Sequence, residues 1–453
     1  MPPAVLWFRR DLRLGDHPAL LAALDSAGPD GTVLPFFVLD ERLWGPSGDP
    51  RRRFLLDCLG ALDEQTGGAL VLRSGDPARA IPRLAAEVGA GSVHVSADTG
   101  PYGRLRDDAV ERALGDVPLV RTGSPYAVTP GRVTKGDGTP FKVFSPFARA
   151  WREHGWRAPA RRPDAVPWTT GVRSDATPPA PRVDADLPPA GEVAAQAAWE
   201  RFRDERLSGY DEARDTPGVD GTSRMSAYLK YGCIHPRTLL ADLAGQDGEA
   251  ARRYVTELAW REFYADVLWH RPDSAREYLN PQLAGMPYDD GPDAEALVTA
   301  WEQGRTGFPI VDAGMRQLLG EAYVHNRVRM IVASFLVKDL HQEWTRGARY
   351  FLRHLVDGDL ASNNHGWQWV AGTGTDASPY YRVFNPITQG KKFDPDGAYV
   401  KRWVPELRGL DPKHVHEPWT APGGIPAGYP EPIVDHAHER LVSLERYNEV
   451  RAR

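Results

Sequence analysis

The sequence predicts two structural classes in one chain, an N-terminal α/β domain with a doubly wound parallel sheet and an all-α C-terminal domain. Short apolar runs alternate with helical patterns over residues 4–122, and this alternation is typical of a parallel sheet covered by helices on both faces. From residue 191 onward the apolar spacing is helical and no strand pattern is evident. A chain of 453 residues is also too long for one ordinary domain.

Five short apolar runs in the first domain are predicted to form strands. These runs are Ala4–Phe8, Val33–Leu39, Ala69–Leu72, Ser92–Val95 and Val117–Arg121. Amphipathic segments between them are predicted helices, for example Pro77–Val88, because Asp76 precedes it as a candidate cap. No G-x-G-x-x-G sequence follows the first strand, so a dinucleotide site of the usual kind is not expected there.

Proline placement predicts the domain boundaries. Eight prolines fall between residues 159 and 189, and such a segment interrupts both helical and strand patterns. We therefore predict an α/β domain over residues 1–125, a Pro-rich interdomain linker over 126–190 and a helical domain over 191–453. Trp151, Trp156 and Trp168 indicate that the linker is held against a surface.

The composition is typical of a globular protein without a membrane anchor. Hydrophobic residues make up 42% of the chain, and the mean hydropathy is -0.46. No run of about 18 apolar residues is present, so no membrane span is expected. The apolar N-terminus leads directly into Arg9 and Arg10, which is the wrong order for a signal peptide. These features predict a cytoplasmic protein.

Cysteine content and net charge narrow the function classes further. Only Cys58 and Cys233 are present, which is too few for a disulfide framework or a cysteine metal site. His414 and His416 form an isolated pair without further ligands, and no metal site is predicted. A net charge of -6 argues against indiscriminate nucleic-acid binding but allows a local basic groove.

The segment Asp357–Trp369 combines carboxylates, carboxamides, a histidine and two indoles. If it is helical, Asp359, Asn363 and Trp367 fall on one face at four-residue spacing. A solvated face would not carry two tryptophans, and a core face would not carry these polar groups without a polar partner. The segment therefore predicts a buried, flat ligand with a polar rim.

Three further clusters in the helical domain mix polar and aromatic residues. They are Gly221–Ser226, Glu257–Phe263 and His325–Met330. The first has an ordinary explanation as helix capping, and the second as a surface ion pair beside a core tryptophan. Because each cluster alone is a weak signal, the prediction of a ligand site rests on their occurring together.

These clusters and three other runs closely resemble the photolyase/cryptochrome family over essentially the whole chain. The other runs are Trp7–Leu14, Trp301–Leu318 and Ala333–Leu340. Within the family, the pattern is similar to class I bacterial cyclobutane pyrimidine dimer photolyases. The resemblance implies light-dependent DNA repair, in which reduced FAD lends an electron to split the dimer with no net redox change. The alternative is a cryptochrome-type blue-light photoreceptor on the same fold.

The resemblance implies that the helical domain binds FAD in a U shape. The implied cofactor-binding residues are Tyr210, Thr222, Ser223, Arg224, Met225, Ser226, Glu257, Arg261, Asn326, Arg329, Asp357, Asp359 and Asn363. Arg329 and Asp357 are expected to pair across the flavin, and Asn363 to face its N5 atom. Plant cryptochromes carry an acid at that position and animal ones a cysteine, so the carboxamide favours repair over signalling.

The resemblance also implies a pocket for a flipped-out pyrimidine dimer in UV-damaged DNA. The implied catalytic residues are Glu257, Trp260, Asn326, Met330 and Trp369. The implied DNA-binding residues are Arg214, Trp260, Arg327, Trp369, Arg382 and Lys391. A (6-4) photolyase would have histidines at the positions of Asn326 and Met330, which argues against that activity.

Electron transfer to the flavin is expected to pass through Trp367 and Trp344, which match the first two tryptophans of the family chain. Gly291 stands at the third position, and the nearest aromatic residue is Tyr288. Either Tyr288 ends the chain or the electron takes another route. His365 replaces the glycine usual in the family, and two explanations remain open, a helix-surface substitution or a role in tuning the site.

A second pigment is implied on the N-terminal sheet domain. The loop Asp98–Arg104 resembles the pattern of enzymes that bind 8-hydroxy-5-deazaflavin, with 5,10-methenyltetrahydrofolate as the alternative. The implied antenna-binding residues are Phe36, Asp40, Arg51 and Asp98. The protein is expected to act as a monomer on DNA.

Overall fold

The computed structural model describes residues 2–375 and 381–452. Its N-terminal part contains one sheet of five parallel strands in the order β3-β2-β1-β4-β5. The strands are β1 Ala4–Phe8, β2 Val33–Leu39, β3 Val71–Ser74, β4 Ser92–Val95 and β5 Leu119–Arg121. Because the strand order reverses direction at β1, successive crossovers place helices on both faces. The predicted doubly wound α/β class is confirmed.

Three of the five predicted strands have the predicted bounds, and two begin later than predicted. The run predicted at Ala69–Leu72 is displaced to β3, which pairs with the end of β2 from Phe36↔Val71 to Leu39↔Ser74. The run predicted at Val117–Arg121 becomes a strand only from Leu119. Pro118 lacks an N–H for the ladder and contributes only its carbonyl, to Val93 N at 2.9 Å.

Five helices accompany the sheet. They are α1 Pro18–Ala27, α2 Glu41–Trp44, α3 Asp49–Gln65, α4 Pro77–Val88 and α5 Pro101–Leu114. The predicted helix Pro77–Val88 is confirmed as α4, and the Asp76 carboxylate accepts a hydrogen bond from Ala78 N at 3.0 Å. A side-chain acceptor before the first turn satisfies a backbone donor that the helix leaves free, which explains why the cap could be found in the sequence.

The segment predicted as a linker contains one helix, α6 Phe144–His154, which the sequence pattern did not predict. Pro146 lies in its first turn, where proline is tolerated. Trp151 of α6 is fully buried and donates from Nε1 to Glu262 Oε2 at 2.6 Å. Farther along, Pro167 O accepts from Val33 N at 2.9 Å. The segment therefore lies against both the sheet and the helical region, while the domain boundaries remain a prediction.

The rest of the described chain is helical, without further strands. Its α-helices are α7 Glu192–Glu205, α8 Tyr210–Ala213, α9 Ser226–Tyr231, α10 Pro236–Leu243, α11 Glu249–His270, α12 Gly291–Glu302, α13 Pro309–Glu321, α14 Asn326–Lys338, α15 Trp344–His354, α16 Leu360–Ala371, α17 Pro386–Phe393, α18 Ala398–Trp403, α19 Pro412–Val415 and α20 His436–Ala452. Short 3-10 turns are Leu207–Gly209, Pro272–Ala275, Pro281–Gly285, Pro405–Leu407 and Pro418–Thr420. Among the helices described, none is both long and apolar enough to cross a membrane.

Candidate active site

A cavity of about 480 Å³ opens in the helical region between α9, α11, α14 and α16. This volume is typical of small-molecule sites. Most residues predicted for cofactor, lesion and DNA binding line it together. They are Tyr210, Arg214, Ser223, Met225, Ser226, Glu257, Trp260, Arg261, Asn326, Arg327, Arg329, Met330, Asp357, Asp359, Asn363 and Trp369, and the predicted electron-transfer residue Trp367 lines the cavity as well.

Helix α16 carries three of these residues on one face. Asp359, Asn363 and Trp367 all line the cavity, as their four-residue spacing predicts. The helix begins after Asp359, whose Oδ1 accepts from Ser362 N at 3.1 Å. Asp359 is therefore both a helix cap and part of the cavity wall.

Cations surround the Asp359 carboxylate. Its Oδ2 accepts from Arg10 Nη2 at 2.7 Å, and Arg10 follows the first strand of the sheet domain. Burial alone would raise the pKa of Asp359, but the charges of Arg10, Lys230 and Arg261 hold it well below its usual range. Burial, together with the charge of Arg10, lowers the pKa of Lys230 to about 7. The sheet domain thus contributes directly to the electrostatics of the cavity wall.

Arg329 and Asp357 form the predicted pair. Arg329 Nη2 donates to Asp357 Oδ2 at 2.8 Å, and Arg329 Nε donates to Val324 O at 2.7 Å. Oδ1 of Asp357 is buried and accepts no hydrogen bond from any described residue. A buried carboxylate oxygen without a donor is costly, so this atom is suited to a donor on a bound molecule.

The Asn363 carboxamide is oriented by two acceptors. Its Nδ2 donates to Ala348 O at 3.1 Å and to Asn364 Oδ1 at 2.9 Å, while Asn364 Nδ2 donates to Ala275 O at 2.6 Å. Because carbonyl oxygens only accept, this network fixes which end of the Asn363 amide carries the hydrogens. Its carbonyl oxygen makes no hydrogen bond within the described part of the chain, and this oxygen remains as an acceptor at the cavity.

The cluster Gly221–Ser226 is only partly at the cavity. Ser223, Met225 and Ser226 line it, whereas Thr222 and Arg224 do not. Arg224 has φ 52° and its guanidinium pairs with Glu321 at 3.1 Å, away from the cavity wall. A non-glycine residue at positive φ turns the chain sharply, which separates Arg224 from its serine neighbours.

The predicted lesion pocket has an aromatic wall and a paired carboxylate. Trp260 stacks on Phe144 of α6, with ring centroids 3.6 Å apart and planes 6° apart. Glu257 accepts from Arg214 Nη1 at 2.5 Å and lies 3.7 Å from Arg253 Nε. The Glu257 carboxylate therefore has two cationic partners within the protein.

The four predicted DNA-binding cations are not gathered into one group. Arg214 and Arg327 line the cavity, and Arg327 pairs with Asp215 at 2.9 Å while its guanidinium lies 4.4 Å from the centre of the Phe393 ring. Lys391 lies elsewhere and pairs with Glu417. Arg382 also lies outside the cavity lining, and its carbonyl accepts from Lys338 Nζ.

The aromatic residues predicted for electron transfer differ in their burial and in their position relative to the cavity. Trp367 lines the cavity, and the Cβ that a side chain at Gly347 would carry lies 2.2 Å from Cη2 of Trp367. Gly347 is one helical turn after Trp344, which is fully buried. Glycine thus lets α15 approach Trp367 closely. Tyr288 lies farther out and is half-buried.

His365 is buried, so its interpretation as a helix-surface substitution is wrong. It is 1% exposed, its Nδ1 lies 2.8 Å from Ala361 O and its Nε2 lies 2.8 Å from Ser274 Oγ. Its ring stacks on the cavity-lining Tyr264 at 5.6 Å. Burial lowers the pKa of His365 to about 4. The imidazole fills space behind the cavity wall and supports Tyr264.

Of the four predicted antenna residues, Asp40 and Asp98 both accept hydrogen bonds from the first two turns of α5, through Tyr102 and Arg106. Phe36 is buried in the core of the sheet with no exposed surface. Asp40 accepts from Arg42 N at 3.0 Å and from the Tyr102 hydroxyl at 2.5 Å, and Asp98 accepts from Arg106 at 3.0 Å. The fourth, Arg51, lies beside the loop of Asp357 and Asp359: its Cδ is 3.3 Å from where a Cβ on Gly358 would be.

The loop that suggested an antenna also has packing explanations. A Cβ on Gly103 would lie 2.1 Å from Cγ of Asp98, so only glycine fits there. The Arg104 guanidinium stacks 3.9 Å from the ring centre of Trp269 in α11, which ties the sheet domain to the helical one. These contacts account for residue types that the resemblance assigns to a pigment.

Several cavity residues were missed by the sequence analysis. Among them are Lys230, Tyr254, Tyr264, Phe351 and Ser362. Ser362 lies inside a predicted cluster, Lys230 follows Ser226 by one helical turn, and Tyr254 precedes Glu257 by one helical turn. Helical periodicity applied to the flanks of each cluster would have found these three. Tyr254 donates to or accepts from Ser223 Oγ at 2.7 Å and so positions that hydroxyl.

Comparison with known proteins agrees with this geometry. The deoxyribodipyrimidine photo-lyase of Escherichia coli is 38% identical over 476 residues, covering 100% of this chain and 99% of that protein. The chain belongs to the DNA photolyase family. The family model for DNA photolyase matches residues 4–166, and the model for the FAD binding domain of DNA photolyase matches residues 254–449.

Other photolyases are similar over their full lengths. The deoxyribodipyrimidine photo-lyase of Streptomyces griseus is 40% identical, covering 97% of this chain and 98% of its own. The crystal structure of a bacterial class III photolyase from Agrobacterium tumefaciens superposes with a TM-score of 0.94 at 38% identity, covering 100% of this chain and 98% of that one. A cryptochrome from Synechocystis has a TM-score of 0.90 at 25% identity, with 99% of both chains covered. The photolyase similarity supports DNA repair over the cryptochrome alternative.

Proposed function

We propose that this photolyase holds FAD and a flipped-out pyrimidine dimer side by side in the same cavity, which lies between α9, α11, α14 and α16. The observation that carries the proposal is that flavin-type polar partners and an aromatic, acid-bearing wall open onto the same space. Arg329, Asp357 and Asn363 belong to the first group, and Trp260 and Trp369 to the second.

The residues present suit FAD. Oδ1 of Asp357 needs a donor, the Asn363 carbonyl oxygen offers an acceptor, and the hydroxyls of Ser223 and Ser226 suit a phosphate or ribityl chain. Lys230 adds a cation whose pKa burial lowers to about 7, so a nearby anion would favour its charged form. When bound in its reduced form, FAD supplies the light-driven electron that splits the cyclobutane ring and takes it back.

The protein's own contribution is to position the pyrimidine dimer, to polarise it and to exclude water from it. Trp260 is held flat by Phe144, and its remaining face offers an apolar surface for a base. Glu257 offers a hydrogen-bond acceptor to the pyrimidine edge. Glu257 is paired with Arg214, so a DNA phosphate that binds Arg214 would release the carboxylate for the dimer.

DNA is proposed to approach over the mouth of the cavity. Arg214 and Arg327 are placed to meet backbone phosphates once these displace Glu257 and Asp215. Arg382 and Lys391 remain proposed DNA contacts farther out. Exchange of protein carboxylates for phosphates would make the affinity depend on salt concentration.

We keep 8-hydroxy-5-deazaflavin as the proposed antenna, with 5,10-methenyltetrahydrofolate as the alternative. The support is the resemblance of the loop Asp98–Arg104. A photolyase structure from Sulfolobus tokodaii, with a TM-score of 0.82 at 29% identity, covers 99% of this chain and is described as containing two FAD molecules. Pigment extraction followed by mass spectrometry distinguishes a deazaflavin, a folate and a second FAD. A monomeric, cytoplasmic enzyme remains the proposed biological form.

Light-dependent repair of a thymine-dimer oligonucleotide tests the central proposal. Purified protein with chemically reduced FAD is illuminated with near-ultraviolet light, and dimer loss is followed by chromatography. Repair is expected under light and not in a dark control with the same protein. Absence of repair by folded, FAD-loaded protein under illumination would refute the proposal.

A further inference from the structure

Two tyrosines connect the buried Trp344 with the protein surface. The Tyr278 ring lies edge-on to Trp344 with ring centroids 6.1 Å apart and planes at 81°. Tyr278 is buried, and its hydroxyl oxygen is 3.0 Å from that of the half-buried Tyr288. Aromatic rings therefore continue outward from Trp344, although Gly291 leaves no third tryptophan.

A carboxylate is positioned to take the Tyr278 proton. The Tyr278 hydroxyl donates to Glu343 Oε1 at 3.0 Å, and an ionised carboxylate only accepts. Because Tyr278 has a single hydroxyl proton, Tyr288 must be the donor between the two tyrosines. The second oxygen of Glu343 accepts from Thr345 Oγ1 at 2.8 Å, which holds the carboxylate in place.

Neither tyrosine ionises before it is oxidised. Burial raises the pKa of Tyr278 and the Glu343 carboxylate raises it further, and burial raises the pKa of Tyr288 to about 12. A neutral phenol that loses an electron becomes a strong acid. It therefore gives up its electron readily only where a base within hydrogen-bond reach takes the proton, and Glu343 meets this condition for Tyr278.

Trp344, unlike Tyr278, has no base next to its acidic proton among the described residues. Its indole Nε1 is buried and has no hydrogen-bond partner among the described residues. A tryptophan that has lost an electron there has no acceptor for its N–H proton, so it remains a cation. The cation is a stronger oxidant than the neutral radical, which favours electron transfer from Tyr278 to Trp344.

A competing path through Trp301 ends at a tyrosine whose hydroxyl is not hydrogen-bonded to a base among the described residues. Trp301 lies 6.3 Å from Trp367 and 5.5 Å from Tyr350, measured between ring centroids. The Tyr350 hydroxyl donates to Glu302 O at 2.9 Å, and a backbone carbonyl does not take a proton at neutral pH. Both tyrosines lie in contact with a tryptophan ring, so ring contact does not decide which one is oxidised. Only Tyr278 has its hydroxyl hydrogen-bonded to a carboxylate, that of Glu343.

We propose that Tyr278 and Tyr288 donate electrons to Trp344 during light-driven reduction of bound FAD, with Glu343 as the proton acceptor. This inference rests on the proposed function and on the inward relay of electrons through Trp344 and Trp367 that the family resemblance implies. Tyr278 gives one electron to the Trp344 cation radical and its proton to the Glu343 carboxylate, leaving a neutral tyrosyl radical. Tyr288 then passes its hydroxyl hydrogen, electron and proton together, to the Tyr278 oxygen. A small thiol in solution restores Tyr288 by giving up a hydrogen atom and becoming a thiyl radical.

Electron paramagnetic resonance of illuminated protein with oxidised FAD tests the path. Ring-deuterated tyrosine, supplied during expression, narrows a tyrosyl signal and leaves a tryptophan signal unchanged. Wild type should show a tyrosyl radical, and Tyr278→Phe should lose it and show a tryptophan radical instead. The matched control Tyr350→Phe should retain the tyrosyl signal.

Three results would overturn the path. They are a tyrosyl signal that survives in Tyr278→Phe, one that disappears in Tyr350→Phe, or none in wild type. Glu343→Gln gives an independent answer if Tyr278→Phe fails to bind FAD. Loss of the proton acceptor should slow tyrosyl formation by about a hundredfold or more, and an unchanged rate rejects Glu343 as the base.

Repair by wild type with chemically reduced FAD separates this inference from the proposed function, because that reaction does not need the tyrosines. Repair without any tyrosyl signal would reject the tyrosine path alone. Failure of repair under light with reduced FAD would reject the proposed function, whatever radicals are seen.

Discussion

Two regions carry buried or half-buried carboxylates near predicted ligand sites, and their hydrogen bonding differs. At the carboxyl edge of the sheet, Asp40 and Asp98 each accept hydrogen bonds at both oxygens from protein donors. In the helical cavity, Asp357 shares one oxygen with Arg329 and leaves the other buried without a described partner. The presence of an aspartate therefore does not by itself reveal a ligand site. A carboxylate whose two oxygens already accept hydrogen bonds from the protein does not need a donor on a ligand.

Asp357→Asn should have the largest effect, since it leaves Arg329 without its anionic partner at the cavity. Removal of one member of a buried pair costs about 3 kcal/mol or more. FAD affinity should fall by about a hundredfold, which titration of apoprotein by calorimetry would measure. The control Asp242→Asn changes an acid paired with Arg203 outside the cavity and should bind FAD normally. Equal losses in both variants would contradict a ligand role for Asp357.

Asp98→Asn should lower stability without affecting FAD. The change weakens the bond from Arg106 and the turn at Gly100, at a cost of about 2–3 kcal/mol in the free energy of unfolding. Chemical denaturation measures this loss. If stability is unchanged and the antenna pigment is lost instead, the sheet edge is a ligand site and the contrast between the two regions fails.

His365 lies behind the cavity wall but is satisfied by protein groups, so it should behave like the sheet carboxylates. Its pKa is lowered from 6.5 to about 4, and the unfolded state therefore binds more protons between those values. Stability then rises with pH across this window and is lost as pH falls through it, by about 2 kcal/mol at pH 5. His365→Asn should reduce the stability difference between pH 7 and pH 5 by this amount, as measured by urea unfolding.

The exposed His438 is the control for this pH effect. His438→Asn should leave the pH dependence of unfolding as in wild type. If His365→Asn also keeps the pH dependence of wild type, other buried histidines determine how stability falls at low pH. One such residue is His325, whose pKa burial lowers to about 4.

Trp369→Leu should have the smallest effect, because leucine keeps an apolar wall and loses only base stacking. Affinity for a dimer-containing oligonucleotide should fall by about fivefold, near 1 kcal/mol. Fluorescence anisotropy measures it, and FAD content should stay unchanged. Trp419→Leu, which changes a tryptophan outside the cavity lining, serves as the control. A larger loss of FAD than of DNA affinity would place Trp369 with the cofactor instead.

Periodicity predicted most of the fold because its signals are local. Ala4–Phe8 and Val33–Leu39 are apolar runs, Ser92–Val95 alternates polar residues with valine, and the Asp76 cap marks α4 within three residues of sequence. The start of β3 was misplaced because its register depends on pairing with β2, which is not local. Helix α6 was missed because the surrounding prolines obscured an 11-residue helix that packs through Trp151.

The clusters found in the sequence of the helical domain also predicted most of the cavity residues. They did not predict which residues pair with these side chains, or which cluster members lie outside the cavity. Asp359, Asn363 and Trp367 share a face because helical spacing requires it. The pairing of Asp359 with Arg10, 349 residues away in sequence, could not be read from either segment. Arg224 lies within a correctly chosen cluster, yet its positive φ directs it to Glu321.

By itself, the sequence determined the two structural classes, the family and the helical faces that form the cavity, because these depend on short-range periodicity and on long matching motifs. Only the tertiary structure decided which polar groups remain available to ligands. It showed that Asp40 and Asp98 are satisfied, that His365 is buried, and that Tyr278 joins Trp344 to Glu343. Hydrogen-bond satisfaction depends on partners distant in sequence, and only folding brings those partners within about 3 Å.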